Sequence, residues 1–192
     1  MAEASWQKKC EKFVTKYYDG SIKLYLGKNK NFSIEFIEEL CTKFGDWDVL
    51  LFSPNLTLDI INRCPVAINW EILSYNSNVT CEFIEENLDK PWNWYALSEN
   101  IILNENVVER LIDNWIWDSL SANPSITSEI VSKWIDKPWN WNVLSVYIKI
   151  DKDIVEKFSE YWNWNQLTYN NITEEILEQW IDKPWNWIEL SN

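Results

Sequence analysis

The sequence predicts an all-α fold: an α-solenoid of about seven to eight short two-helix repeats behind an N-terminal capping helix. Three observations predict it. Tryptophan returns at Trp47, Trp70, Trp94, Trp117, Trp141, Trp164 and Trp187, at spacings of 23 or 24 residues. Leucine follows each tryptophan three residues later, at Leu50, Leu73, Leu97, Leu120, Leu144, Leu167 and Leu190. A helix-capping residue follows ten residues after the tryptophan, or nine in the last copy, at Thr57, Thr80, Asn104, Thr127, Asp151 and Thr173. Residues 1–20 read as the capping helix and residues 21–192 as a repeat array forming a single domain.

In the capping segment Trp6, Cys10, Phe13 and Tyr17 recur at i, i+4, i+7 and i+11. That spacing predicts a helix with one apolar side and lysines on its other faces. Residues 23–41 fit the lattice as a degenerate first repeat. Leu26 takes the leucine slot, Ser33 the cap, Phe36 and Ile37 the core, and Lys23 stands where later copies have tryptophan.

Each full repeat holds two helices. The first opens at an asparagine between two tryptophans, as in Trp139-Asn140-Trp141 and Trp162-Asn163-Trp164. The asparagine oxygen can accept from free N–H groups of the first turn. The preceding tryptophan and the leucine four residues into the helix then make a hydrophobic staple: Trp92 with Leu97, Trp139 with Leu144, Trp162 with Leu167, Trp185 with Leu190, and Ile68 with Leu73. Trp141, one turn from Leu144, is expected to face inward with it. Asn76, Asn100, Asn123 and Asn170 follow the last turn and are expected to stop the helix in the left-handed conformation.

The second helix begins at the threonine-type cap. Apolar residues before the cap (Leu56, Val79, Leu103, Ile126, Ile150, Ile172) pair with apolar residues in the first turn (Ile61, Ile84, Val108, Val131, Val155, Leu177) as a second staple. Acids early in the helix, among them Asp59, Glu82, Glu129, Asp153 and Glu175, suit the positive end of its dipole. Pro91, Pro138 and Pro184 block continuation. The gap from cap to next tryptophan alternates between 14 and 13 residues, which predicts a structural unit of two repeats.

Net charge is −13, yet the first thirty residues carry seven lysines against three acids. An acidic body argues against general nucleic-acid binding. With three glycines, phosphate-cradling loops have little to be built from. Cys10, Cys41, Cys64 and Cys81 show no metal-ligand spacing and there is no histidine, so no metal site and no cofactor are read. Free thiols without a disulfide framework fit a reducing compartment, and Cys41 and Cys64 are expected to be neighbours across repeats. No run is long and apolar enough for a membrane span.

The units WIWDSLSANPSITSEIV and WNWNVLSVYIKIDKDIV resemble a tryptophan-rich tandem repeat, roughly P-W-[DN]-W-x-x-L-S-x-N-P-N-I-T-x-E-I-I, found in proteins of giant DNA viruses. The likeness rests on Trp139, Trp141, Leu144 and Ser145, and on Trp117, Leu120, Ser121, Asn123, Pro124, Ile126 and Thr127. It covers most of the chain from Lys23 and is weakest near residues 23–65. It implies a viral, intracellular helical-repeat protein of the host cytoplasm, viral factory or virion, and implies no catalytic residues.

Three motifs have structural explanations. The sequons at Asn55, Asn78 and Asn171 coincide with turns before capping threonines. The pairs Glu38/Glu39, Glu85/Glu86 and Glu174/Glu175 read as solvated helix faces. Paired tryptophans read as staple and core rather than as stacking platforms for sugars or bases. No catalytic set is therefore read. The expected function is a protein-binding scaffold, with virion component and acidic decoy of a basic host protein as alternatives. The slots that vary between copies are Asp48/Val49, Glu71/Ile72, Tyr95/Ala96, Asp118/Ser119, Asn142/Val143, Asn165/Gln166 and Ile188/Glu189. The candidate partner-binding surface taken from them is Asp48, Glu71, Tyr95, Asp118, Asn142, Asn165 and Glu189. The chain stops just after a first helix, so Trp185, Trp187, Ile188 and Leu190 are expected to form an apolar edge capable of self-association.

Overall fold

The computed structural model describes residues 2–18 and 20–191, with side chains from residue 8 onward, residues 10 and 11 excepted. Among the described residues the regular elements are sixteen helices and no strand, so the fold is all-α and repetitive. The chain forms two compact units, residues 1–93 and 94–192.

The first unit opens with α1 (Ala2–Tyr17) and α2 (Lys23–Gly27). Helix pairs follow: α3 (Ile34–Phe44) with α4 (Asp48–Leu51), α5 (Leu58–Arg63) with α6 (Trp70–Leu73), then α7 (Cys81–Glu86). Helix α4 packs on α2, α3 and α6. Gly27 occupies the slot where most later repeats carry serine, and a Cβ there would collide with the Val49 carbonyl oxygen and lie 2.7 Å from the Phe52 Cβ. Glycine is what lets α2 and α4 approach so closely. Lys23, in the tryptophan slot, ion-pairs with Asp46 at 3.8 Å and Asp48 at 3.5 Å. Helix α3 ends at Gly45, which is left-handed at φ 73°.

The expected apolar side of α1 needs correction. Phe13 and Tyr17 are exposed, while Val14 is buried and Tyr18 donates from its hydroxyl to Asp46 Oδ2 at 2.9 Å. The helix is anchored through Val14 and Tyr18, one position round from the expected stripe. The side chains of Trp6 and Cys10 lie outside the described residues.

The second unit repeats one plan: α8 (Trp94–Asn100), α9 (Glu105–Arg110), α10 (Trp117–Leu120), α11 (Ser128–Lys133), α12 (Trp141–Tyr147), α13 (Lys152–Lys157), α14 (Trp164–Leu167), α15 (Glu174–Gln179) and α16 (Trp187–Leu190). Within it α8 packs on α10, α12 on α14 and α13 on α15.

Every second-helix cap read from the sequence is in place. Ser33, Thr57, Thr80, Asn104, Thr127, Asp151 and Thr173 each accept a hydrogen bond from the backbone N–H three residues on. Asn69, Asn140, Asn163 and Asn186 do the same for first helices. The lattice leucines Leu50, Leu73, Leu97, Leu120, Leu144 and Leu167 are buried, and so are the stapling indoles Trp92, Trp139, Trp162 and Trp185. Burial of Trp185 corrects the expectation that it would lie open. Its ring meets Trp164 edge-on at 5.2 Å. Trp141, expected to face inward, is only partly buried: Tyr161 stacks on it at 4.6 Å and Trp162 meets it at a near-perpendicular angle at 5.4 Å, yet part of the ring stays in solvent.

The alternation of gaps has a structural cause. At the longer junctions Trp92, Trp139 and Trp185 each donate from the indole Nε1 to a carbonyl five residues back, on Asn87, Trp134 and Trp180. Their backbone N–H groups close tight turns around Pro91, Pro138 and Pro184 onto Lys90, Lys137 and Lys183. At the shorter junctions, which lack that proline, Trp115 and Trp162 donate to carbonyls seven residues back, on Val108 and Val155. At these three junctions the proline is the extra residue, whereas the equally long junction from Ser33 to Trp47 has none, and the indole reaches its carbonyl from either register.

Candidate interaction surface

The row of candidate residues sits at or beside the first turn of the first helices, one residue after the lattice tryptophan, or two at Glu189. In the first unit Asp48 is partly buried and paired with Lys23, so its charge is already engaged, whereas Glu71 is exposed. In the second unit Tyr95, Asp118, Asn142, Asn165 and Glu189 are all exposed. The neighbouring slot behaves differently. Val49, Ala96 and Ser119 are buried, so variation there concerns packing rather than recognition. The two slots lie about 100° apart around the helix, enough to turn one outward and the other in.

Two exposed residues are tied to the next repeat. Asp118 Oδ1 accepts from Asn140 Nδ2 at 2.6 Å, and Asn142 Oδ1 accepts from Asn163 Nδ2 at 2.6 Å. Both donors are the capping asparagines of the following first helix, so each cap serves its own helix with its oxygen and the preceding repeat with its nitrogen. Asn93 and Asn186 similarly reach the hydroxyls of Tyr75 and Tyr169, each at 3.3 Å. The Tyr95 hydroxyl is held above its ordinary pKa, first by its hydrogen bond to Glu99 and then by that carboxylate's charge, with Asp118 adding a smaller effect of the same sign.

Two sets of residues fix this row in place, one that sequence reasoning left without a role and one to which it gave a different role. The first follows the lattice leucine: Ser74, Ser98, Ser121, Ser145 and Thr168. Their hydroxyl oxygens accept from the backbone N–H of Asn93, Ile116, Asn140, Asn163 and Asn186 of the next repeat at 2.9 to 3.1 Å. Ser74, Ser121, Ser145 and Thr168 also donate to the carbonyl of their own lattice tryptophan. The second set is Asn76, Asn123 and Asn170. The Nδ2 of Asn76 donates to the Leu51 and Ser53 carbonyls, that of Asn123 to Ser98 and Ile101, and that of Asn170 to Ser145, Val146 and Ile148. The left-handed reading of these asparagines is therefore overturned: no described residue other than glycine has positive φ. Asn100 differs again, donating to the Ala96 carbonyl within its own helix.

Several of the other tempting groups are tied to neighbouring repeats. Glu38 pairs with Arg63 at 3.3 Å and Glu175 with Lys152 at 2.6 Å, each between neighbouring second helices. Asn55 and Asn78 donate their amides to backbone carbonyls of Phe32 and of Pro54 and Leu56. Cys41, Cys64 and Cys81 are free thiols, and burial pushes Cys41 from its ordinary 9.0 to about 12, with nearby Cys64 adding a small effect. Among the described residues no three histidine, cysteine or carboxylate side chains gather as a metal site, and no helix is long and apolar enough to cross a membrane.

No family model, no curated protein and no solved structure matches the chain.

Proposed function

We propose that this chain is a non-enzymatic scaffold that binds a protein partner through the exposed row Tyr95, Asp118, Asn142 and Asn165 of the second unit, with Glu189 at the equivalent turn of α16. The observation that carries the reading is a division of labour. Residues that recur from copy to copy are used in packing, capping or inter-repeat hydrogen bonds, while one of the two varying slots, held by Tyr95, Asp118, Asn142 and Asn165, stands in solvent on fixed turns. Helical repeats use such rows as recognition surfaces. The net charge of −13 favours a partner with a basic face. The tandem-repeat resemblance supports a place inside a virus-infected cell, in the cytoplasm or the viral factory.

The test is affinity capture from infected-cell extract with the wild-type chain and with a Tyr95→Ala, Asp118→Ala, Asn142→Ala, Asn165→Ala variant. Both must show the same helical circular dichroism and melting temperature. The expected result is a protein retained by wild type, eluted by salt, and lost by the variant. Equal retention by the variant overturns the assignment of this row.

A further inference from the structure

Helix α1 leaves a basic and aromatic face in solvent. Val14 is buried and Tyr18 is bonded to Asp46, so the side that carries them is the packed side. Successive residues of a helix lie about 100° apart. Lys9 and Lys16 therefore fall opposite Val14 and Tyr18, with Phe13 and Tyr17 on one flank and Lys12 and Lys8 on the other. Exposure follows the register. All four lysines are exposed, and Phe13 and Tyr17 are 65% and 55% exposed. The same register puts Glu3 and Glu11, the acids of this helix, on the Val14 side.

The outward half of α1 thus joins four ammonium groups to two rings. Phe13 and Tyr17 lie against each other, centroids 4.6 Å apart at 42°, and Lys16 Nζ is 4.9 Å from the Tyr17 ring centre. Ring faces engaged in this way are poor platforms for bases, which stack on an open π face. The exposed edges suit the boundary between lipid headgroups and acyl chains, where aromatic side chains enter and lysines reach the headgroups. The charge selects the lipid. The first thirty residues carry seven lysines against three acids, while the chain as a whole is at −13. Anionic headgroups attract the first and repel the acidic remainder. Repulsion from charges farther than about 8 Å is screened at physiological salt, so the lysines at the contact dominate.

We infer that α1 is a membrane-surface helix, docking Lys8, Lys9, Lys12 and Lys16 on an anionic phospholipid bilayer while Phe13 and Tyr17 enter the headgroup layer. The helix lies along the surface rather than across it. The inference is independent of the protein-binding row, whose residues belong to the other unit.

Flotation of the full chain with lipid vesicles tests this. Wild type is expected to float with vesicles in which about one lipid in three is phosphatidylserine and the rest phosphatidylcholine, to stay behind with phosphatidylcholine alone, and to be released progressively by salt. Lys9→Ala with Lys12→Ala and Lys16→Ala lowers partitioning about a hundredfold, at about fivefold per lysine. Lys9→Arg with Lys12→Arg and Lys16→Arg keeps it. Phe13→Ser with Tyr17→Ser lowers it at least about tenfold and leaves the salt dependence in place. The replaced side chains are exposed, so every variant keeps the helical circular dichroism and melting temperature of wild type. Equal flotation with both kinds of vesicle, no flotation, or flotation unchanged in the triple alanine variant overturns the inference. Binding of single-stranded RNA at protein concentrations that leave the anionic vesicles bare also overturns it and makes the face a nucleic-acid surface. A mass above the monomer that is lost in the Phe13/Tyr17 variant, with no vesicle binding, overturns it in favour of a contact between copies.

Discussion

Asn123 uses both ends of its amide. Nδ2 donates to the Ser98 and Ile101 carbonyls at 2.8 and 3.0 Å, and Oδ1 accepts from the Ser125 N–H at 2.8 Å. Replacing it with leucine leaves buried backbone groups without partners, each costing about 1–3 kcal/mol. Asn123→Leu is therefore expected to cost about 2–4 kcal/mol in a urea melt, more than Thr127→Ala at about 1 kcal/mol through its lost cap. Trp139 is the deeper of its pair, with its ring buried and its Nε1 bonded at 2.9 Å, so Trp139→Ala should cost about 3–5 kcal/mol and Trp141→Ala clearly less. Equal costs in the two melts would show that the partial exposure of Trp141 does not matter. Cys41 sets a pH limit. Below about pH 9 its thiol is neutral whether folded or unfolded, and it contributes no pH dependence. Above that the unfolded chain loses the proton while the folded chain, with its thiol at about 12, keeps it. Stability then falls by about 1.4 kcal/mol per pH unit, and a Cys41→Ala background should lose that slope between pH 9 and 11.

At the scale of the element, legibility in the sequence follows the range of the interaction. The caps were readable because their bonds span three residues: Thr127 Oγ1 is met by the Ile130 N–H, and Asp151 Oδ1 by the Ile154 N–H. The serine after most of the lattice leucines was visible as a recurring letter but not as a part, since its donor lies 18 or 19 residues away. The asparagines were misread for the same reason. A local rule offered a left-handed stop, whereas their partners lie 22 to 25 residues back. The exposed slot of the candidate row could be seen as variation, but one-turn helices give too little periodicity to tell which of two adjacent varying slots faces out. Between second helices, ion pairs such as Lys152–Glu175 and Lys133–Glu109 set register more than stability. Glu175→Gln is expected to change the melting free energy by less than about 1 kcal/mol, and by still less at high salt.

For the whole molecule, the isoelectric point near 4.4 leaves the chain strongly anionic at neutral pH. Solubility is expected to pass through a minimum near that pH as carboxylates neutralise. A turbidity scan that stays flat there would show that the lysines near the N-terminus do not act as attractive counterparts to the acidic remainder.

The asparagines at 76, 123 and 170 also bear on how such a chain can change length. Each reaches back into the first helix of the repeat before it, and Tyr147 stands in the corresponding place in the repeat between the last two. Excising residues 117–140 would put Tyr147 where Asn123 had been, and the carbonyls at Ser98 and Ile101 would lose their donor. Excising 117–163 instead joins Ile116 to Trp164 and delivers Asn170 to those same carbonyls. The gene is thus expected to tolerate gain or loss of whole pairs of repeats and to resist single ones, so that descendants of an ancestral array would differ in length by steps of two.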